Sequence, residues 1–97
     1  MNEITFKGLS INEDEKLCSI DKEDAGLSKS EYLLITFLLK NRNKIFSREE
    51  LIEAAWPSPV LARAVDTAIS RLRGKLGEYG KHIITRPGFG YGFKEEV

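Results

Sequence analysis

The sequence predicts an α+β fold in which a short antiparallel β-meander comes first, three helices follow and a β-hairpin closes the chain. Three observations carry that expectation. Apolar residues alternate in short bursts near the start, Ile4 with Phe6, Leu9 with Ile11 and Cys18 with Ile20, the period of strands with one buried face. Two Ser-x-x-Glu pairs, Ser28 with Glu31 and Ser47 with Glu50, each stand at the head of an apolar-rich stretch, as helix capping boxes do. The stretch Arg63 to Phe93 reads as an amphipathic helix, a short turn and a glycine-rich hairpin.

Residues 1–27 form the meander, its bursts separated by the charged, turn-rich segments Lys7-Gly8, Asn12 to Lys16 and Asp21 to Asp24. Residues 28–80 hold the three helices. The first is apolar nearly all round from Tyr32 to Leu39, which marks a central buried element. Asn41 to Asn43 ends it, and Ile45-Phe46 is a short extended link. The second helix buries Leu51, Ile52, Ala55 and Trp56 before Pro57 stops it. The third begins near Leu61 or Ala62 and places Val65, Ile69, Leu72 and Leu76 on one stripe, the side that faces a core. It ends around Gly77 to Gly80, where glycine supplies the turn. Residues 81–97 form the hairpin, which turns through Gly88 and Gly90 and returns through Tyr91 and Phe93. Glycines there permit positive φ and close approach to a phosphate. With no repeats or linkers, residues 1–97 are expected to be a single domain.

The chain has 97 residues, 41% of them hydrophobic and 31% charged, the balance of an ordinary globular protein. No apolar run approaches the roughly 18 residues of a membrane span, so no membrane partner is expected. Asn2 to Phe6 offers neither the basic start nor the apolar stretch of a signal peptide. Cys18 is the only cysteine, so no internal disulfide can form and a cytoplasmic setting is expected. One Cys and one His cannot complete a zinc site, and neither metal nor cofactor is expected. Without a nucleophile–base pair, paired carboxylates or a phosphate-loop lysine, an enzyme is not expected either.

Net charge is zero, but the charge is segregated. Residues 1–31 hold four Lys against eight acids, a balance of −4, whereas residues 61–86 hold six Lys or Arg against Asp66 and Glu78, a balance of +4. One basic face on a neutral molecule suits phosphate attraction. Opposite its apolar stripe the third helix carries Arg63, Thr67, Ser70, Arg71 and Gly74, a polar face narrow enough for a groove. A helix of this kind followed by a basic hairpin makes a winged helix-turn-helix, with one element for the DNA major groove and one for the flank.

These residues closely resemble the C-terminal effector domain of OmpR/PhoB-type response regulators, with its R-x-V-D-x-x-I-x-x-L-R recognition helix and T-x-x-G-x-G-Y-x-F wing. The resemblance spans essentially the whole chain and is strongest in residues 28–93. It implies a transcription-regulating domain that binds double-stranded DNA as head-to-tail pairs on tandem half-sites. Its implied partners are an upstream receiver domain, against which a meander like this one packs, and RNA polymerase. On that basis the chain is expected to be a fragment of a longer regulator. Arg71, near the centre of the exposed face and about 80° around the helix from Arg63, matches a position that commonly reads bases. A bidentate Arg–guanine pair is worth about 1–3 kcal/mol of discrimination. Thr67 offers a methyl to thymine and a hydroxyl to phosphate, with Ser70 beside it. The positions of Arg63, Arg73 and Thr85 typically touch backbone phosphates, and Arg73 and Lys75 would straddle the groove walls. Trp56 reads first as a core aromatic, and its family counterpart can also donate its ring N–H to a phosphate.

This chain departs from the family pattern at several places. Ala68 stands where a phosphate-contacting His is frequent, and Gly74 where a basic residue is common. Pro87 takes the wing position that often carries a minor-groove Arg, with Arg86 one place earlier, which aims Arg86 at a phosphate. The loop Pro57 to Ala62 is shorter than usual. Asp66, in the helix's early turns, reads as structural, with Arg63 as its expected partner. The competing expectation is a winged helix used for protein–protein contacts with little DNA affinity, favoured by zero net charge and by these departures.

Overall fold

The computed structural model describes residues 3–97; the first two positions of the expected 1–27 meander lie outside the described residues. Strands β1 (Glu3–Phe6), β2 (Leu9–Asn12), β3 (Leu17–Ile20) and β4 (Glu23–Asp24) form an antiparallel sheet in sequence order. Its register stacks Ile4 against Ile11 and Phe6 against Leu9, with Cys18 opposite Ile11. The alternating residues thus share one face, and Phe6, Leu9, Ile11 and Cys18 are buried. The two-residue β4 carries no alternation that could have announced it.

Helix α1 (Lys29–Lys40) opens on the Ser28–Glu31 capping box, and α2 (Arg48–Ala55) on the Ser47–Glu50 box; both reciprocal bonds are present in each. Each box satisfies backbone N–H groups that a helix start leaves open. Leu34, Ile35 and Leu38 of α1 are fully buried, making this helix the middle of the core. Helix α3 (Ala62–Lys75) turns Val65, Ile69 and Leu72 inward, and Leu76 continues the stripe beyond its end. Gly77 then takes the left-handed region, φ 59°, where glycine has no Cβ to clash. A 3₁₀ segment, Gly77–His82, follows in place of a simple turn.

Strands β5 (Ile83–Arg86) and β6 (Gly90–Phe93) form the hairpin, pairing Ile83 with Phe93 and Thr85 with Tyr91. The other edge of β6 is covered by the link before α2. Phe46 N donates to Tyr91 O at 2.8 Å, and Tyr91 N to Phe46 O at 3.0 Å. A Cβ on Gly90 would collide with the Phe46 carbonyl, and one on Gly92 with the Lys44 carbonyl. These two glycines therefore admit the protein's own link, rather than serving only approach to a phosphate.

An aromatic cluster joins the meander to the hairpin. His82 stacks on Phe93 with centroids 5.5 Å apart, and Phe6 meets both rings edge-on. Gly8 N donates to Tyr79 Oη at 2.9 Å, and Arg42 bridges Glu95 and the Thr5 carbonyl. The hairpin is thus fixed from the meander, the link and the helices together, and its tip projects from a rigid base.

Candidate nucleic-acid interface

The same 3.6-residue period that buries Val65, Ile69 and Leu72 leaves Arg63, Thr67, Ser70, Arg71 and Gly74 exposed. Helix α3 has no side-chain cap at Leu61 and no acid in its first turn. Its N-terminal N–H groups, the positive end of the dipole, therefore stand beside Arg63 without a side-chain cap. Among the described residues, the Arg63 and Arg71 side chains have no hydrogen-bond or ion-pair partner. Both line an open cleft of about 550 Å³ between the start of α1 and α3, with Thr67, Ala68 and Trp56 also in its wall. Trp56 is half-buried as the C-cap residue of α2, its backbone N–H donating to Ile52 O at 3.0 Å. Its ring packs against the core.

The two flanking cations of α3 are already engaged. Arg73 donates from Nε and Nη2 to the Ile83 carbonyl at 3.0 and 2.8 Å, and from Nη2 to Thr85 Oγ1 at 2.8 Å. Its guanidinium also lies over the Tyr91 ring, 5.9 Å from the centroid. Lys75 reaches Glu31 Oε1 at 2.8 Å, and Glu31 is almost fully buried at the start of α1. Burial alone pushes the Glu31 carboxyl up, but bonds from Lys75 and Ser28 outweigh it and hold it below its usual range. Ser70 is exposed one turn ahead of Gly74.

At the wing, Thr85 and Arg86 are exposed, and the Arg86 side chain has no hydrogen-bond or ion-pair partner among the described residues. A second cleft of about 270 Å³ joins the hairpin to the first turns of α2 and α3. Arg48, Ala62, Arg86 and Phe89 line it. The helix and the wing thus open onto adjoining clefts.

Asp66 is structural, as expected, but its partners are Arg48 and Tyr91 rather than Arg63. Arg48 Nε donates to Asp66 Oδ1 at 2.9 Å, and Tyr91 Oη donates to the same oxygen at 2.5 Å. Those two donors hold the Asp66 carboxyl below its usual range, and Asp66 in return raises Arg48. The partners lie 18 and 25 residues away in sequence, beyond the reach of helical periodicity. Arg48 and Phe89 escaped the residue reading. Only the placement of Phe89 between Gly88 and Gly90 hinted that its ring would stand clear.

Among the described residues, no helix is long and apolar enough to cross a membrane, and no three His, Cys, Asp or Glu side chains gather as a metal site would require.

Residues 22–93 match the family model described as "Transcriptional regulatory protein, C terminal". The transcriptional regulatory protein ResD of Bacillus subtilis is 36% identical over 99 residues, an alignment covering 96% of this chain and 41% of ResD. The chain thus spans well under half the length of that relative. Among solved structures, the DNA-binding domain of the response regulator AdeR, in complex with an intercistronic region, superposes with a TM-score of 0.85 at 34% identity. That match covers 93% of this chain and 97% of AdeR's. The DNA-binding domain of Klebsiella pneumoniae RstA, in complex with the RstA box, gives a TM-score of 0.86 at 27% identity and covers 99% of this chain and all of that one.

Proposed function

The chain belongs to the family of C-terminal domains of transcriptional regulatory proteins, and from that premise we propose that it is the sequence-specific DNA-binding effector domain of a two-component response regulator. Helix α3 enters the major groove, and the β5–β6 wing lies on the flanking backbone or minor groove. The carrying observation is the pattern of cation pairing. Arg48, Arg73 and Lys75 are each tied to a protein acceptor, whereas the side chains of Arg63 and Arg71 on the exposed face of α3 have none among the described residues. Both suit an incoming polyanion.

In this reading Arg71 takes a base edge, Thr67 a thymine methyl or phosphate, and Ser70 a nearby polar group. Arg63 takes a phosphate at the uncapped start of α3, where the helix dipole adds to it. Trp56 and Arg86 donate to backbone on either side, while Arg73, Thr85 and Lys75 brace the groove walls from their existing bonds. The upstream partner is a receiver domain, the setting is the cytoplasm, and an RNA polymerase contact would fall to the short exposed loop between α2 and α3. No catalytic activity is proposed.

Selection from a pool of random duplexes tests the function. The expected product is a tandem repeat with half-sites about 10–10.5 bp apart. Recovery of sequences with no common motif would favour the protein–protein reading instead.

A further inference from the structure

Phe89 is 72% exposed, the most exposed large hydrophobic side chain among the described residues. A single exposed apolar residue is ordinary on a protein surface, so exposure alone decides nothing. What sets Phe89 apart is how it is presented. Phe89 N donates to Arg86 O at 2.9 Å, closing a four-residue turn with Pro87 second and Gly88, at φ 84°, third. Those are the requirements of a type II turn, and Pro87 pre-sets its φ. The tip is therefore rigid before it meets anything.

It is also thin. Phe89 stands between Gly88 and Gly90, so no neighbouring side chain widens the hairpin beside the ring. A Cβ on Gly88 would meet nothing within 4 Å, which shows open space around the tip. B-DNA's minor groove is only about 6 Å wide, so a glycine-flanked aromatic is one of few side-chain arrangements able to enter it edge-on. Arg86, whose exposed side chain has no partner among the described residues, begins the same turn. An apolar wedge beside a cation is a recurring means of holding the minor groove, and it favours steps that deform easily.

We propose that Phe89 is a specificity-determining residue, an apolar wedge that enters the minor groove beside the half-site and selects flanks free of groove-blocking amino groups. The inference rests on the DNA-binding reading above. It goes beyond that reading in adding a sequence preference at the flank, carried by the wing's aromatic tip, to the backbone contact of Arg86. The guanine 2-amino group is the one donor that projects into the minor groove. Replacing G·C by inosine·cytosine removes it and leaves the major groove unchanged.

The test uses duplexes carrying the selected site with either G·C or I·C flanks, bound by the wild-type chain, by Phe89→Ala and by Arg86→Ala. The wild type is expected to prefer the I·C flank by about fivefold or more, the scale of one altered base pair. Phe89→Ala should lose that preference while keeping the wild-type melting temperature and salt dependence. Arg86→Ala should keep the preference and show a shallower salt dependence. Equal flank preference in wild type and Phe89→Ala would overturn the wedge while leaving DNA binding intact. Failure of the wild type to bind any duplex specifically would overturn the DNA-binding reading itself, and the wedge with it.

Discussion

Tyr91 on the wing donates its hydroxyl to the Asp66 carboxylate on the recognition helix at 2.5 Å, and Arg48 of α2 shares the same oxygen. One carboxylate therefore sets the angle between the two elements proposed to touch DNA. Burial and the neighbouring Asp66 keep the Tyr91 phenol above its ordinary range, so it remains a donor at any pH near neutral.

Tyr91→Phe removes the donor and little else. The loss should be about 1 kcal/mol of stability, the usual worth of a hydrogen bond, because Asp66 retains Arg48 and partial solvent. Urea unfolding measures it. A variant as stable as the wild type would mean that the bond does not brace the wing.

Acid should loosen the molecule through depressed carboxylates. Glu31 and Asp66 are both held below their usual range by donors. Each therefore contributes stability that is present above its unfolded pKa, about 4, and is lost as pH falls through the lower folded value. Unfolding midpoints should fall between about pH 5 and pH 2, and Glu31→Gln should flatten part of that slope. An unchanged slope in Glu31→Gln would show that the Lys75–Glu31 pair adds nothing.

Glycine substitutions should diverge in sign. At Gly74 a Cβ meets nothing within 4 Å on an exposed helical face, so Gly74→Ala should stabilise by up to about 1 kcal/mol through helix propensity and the unfolded chain. At Gly90 the φ of 141° and the Phe46 carbonyl both refuse a side chain, and Gly90→Ala should destabilise. Thermal melts of the two variants check the pair.

Much of this architecture was legible locally. The capping boxes at Ser28 and Ser47, the Val65–Ile69–Leu72–Leu76 stripe and the alternating bursts of the meander each encode their element within a few residues. What pairs across the fold was not legible. Lys75 reads as a free groove-side cation until α1 brings Glu31 beside it from 44 positions away. Arg73 reads as a phosphate ligand until β5 offers its carbonyl and Thr85. Gly90 looks like a phosphate-approach glycine because Phe46, whose carbonyl it accommodates, lies 44 positions earlier. The site residues facing solvent were the readable ones, since exposure follows from period alone.

Arg71 and Arg73 should separate by role. Arg71→Ala should relax preference at one base pair at a cost of about 1–3 kcal/mol there. Arg73→Ala should weaken binding evenly across sequences and also lower the melting temperature, because it frees β5. Binding to a library of single-base variants of the selected site distinguishes them; identical profiles would mean that α3 does not dock by its centre.

The most direct test of the DNA-binding claim is the salt dependence of affinity for the selected duplex. With about 4–6 phosphates neutralised by the basic segment, log K against log salt should fall with a slope of about −4 to −5, made shallower by about one in Arg63→Ala. An affinity unchanged between low and high salt would contradict the claim.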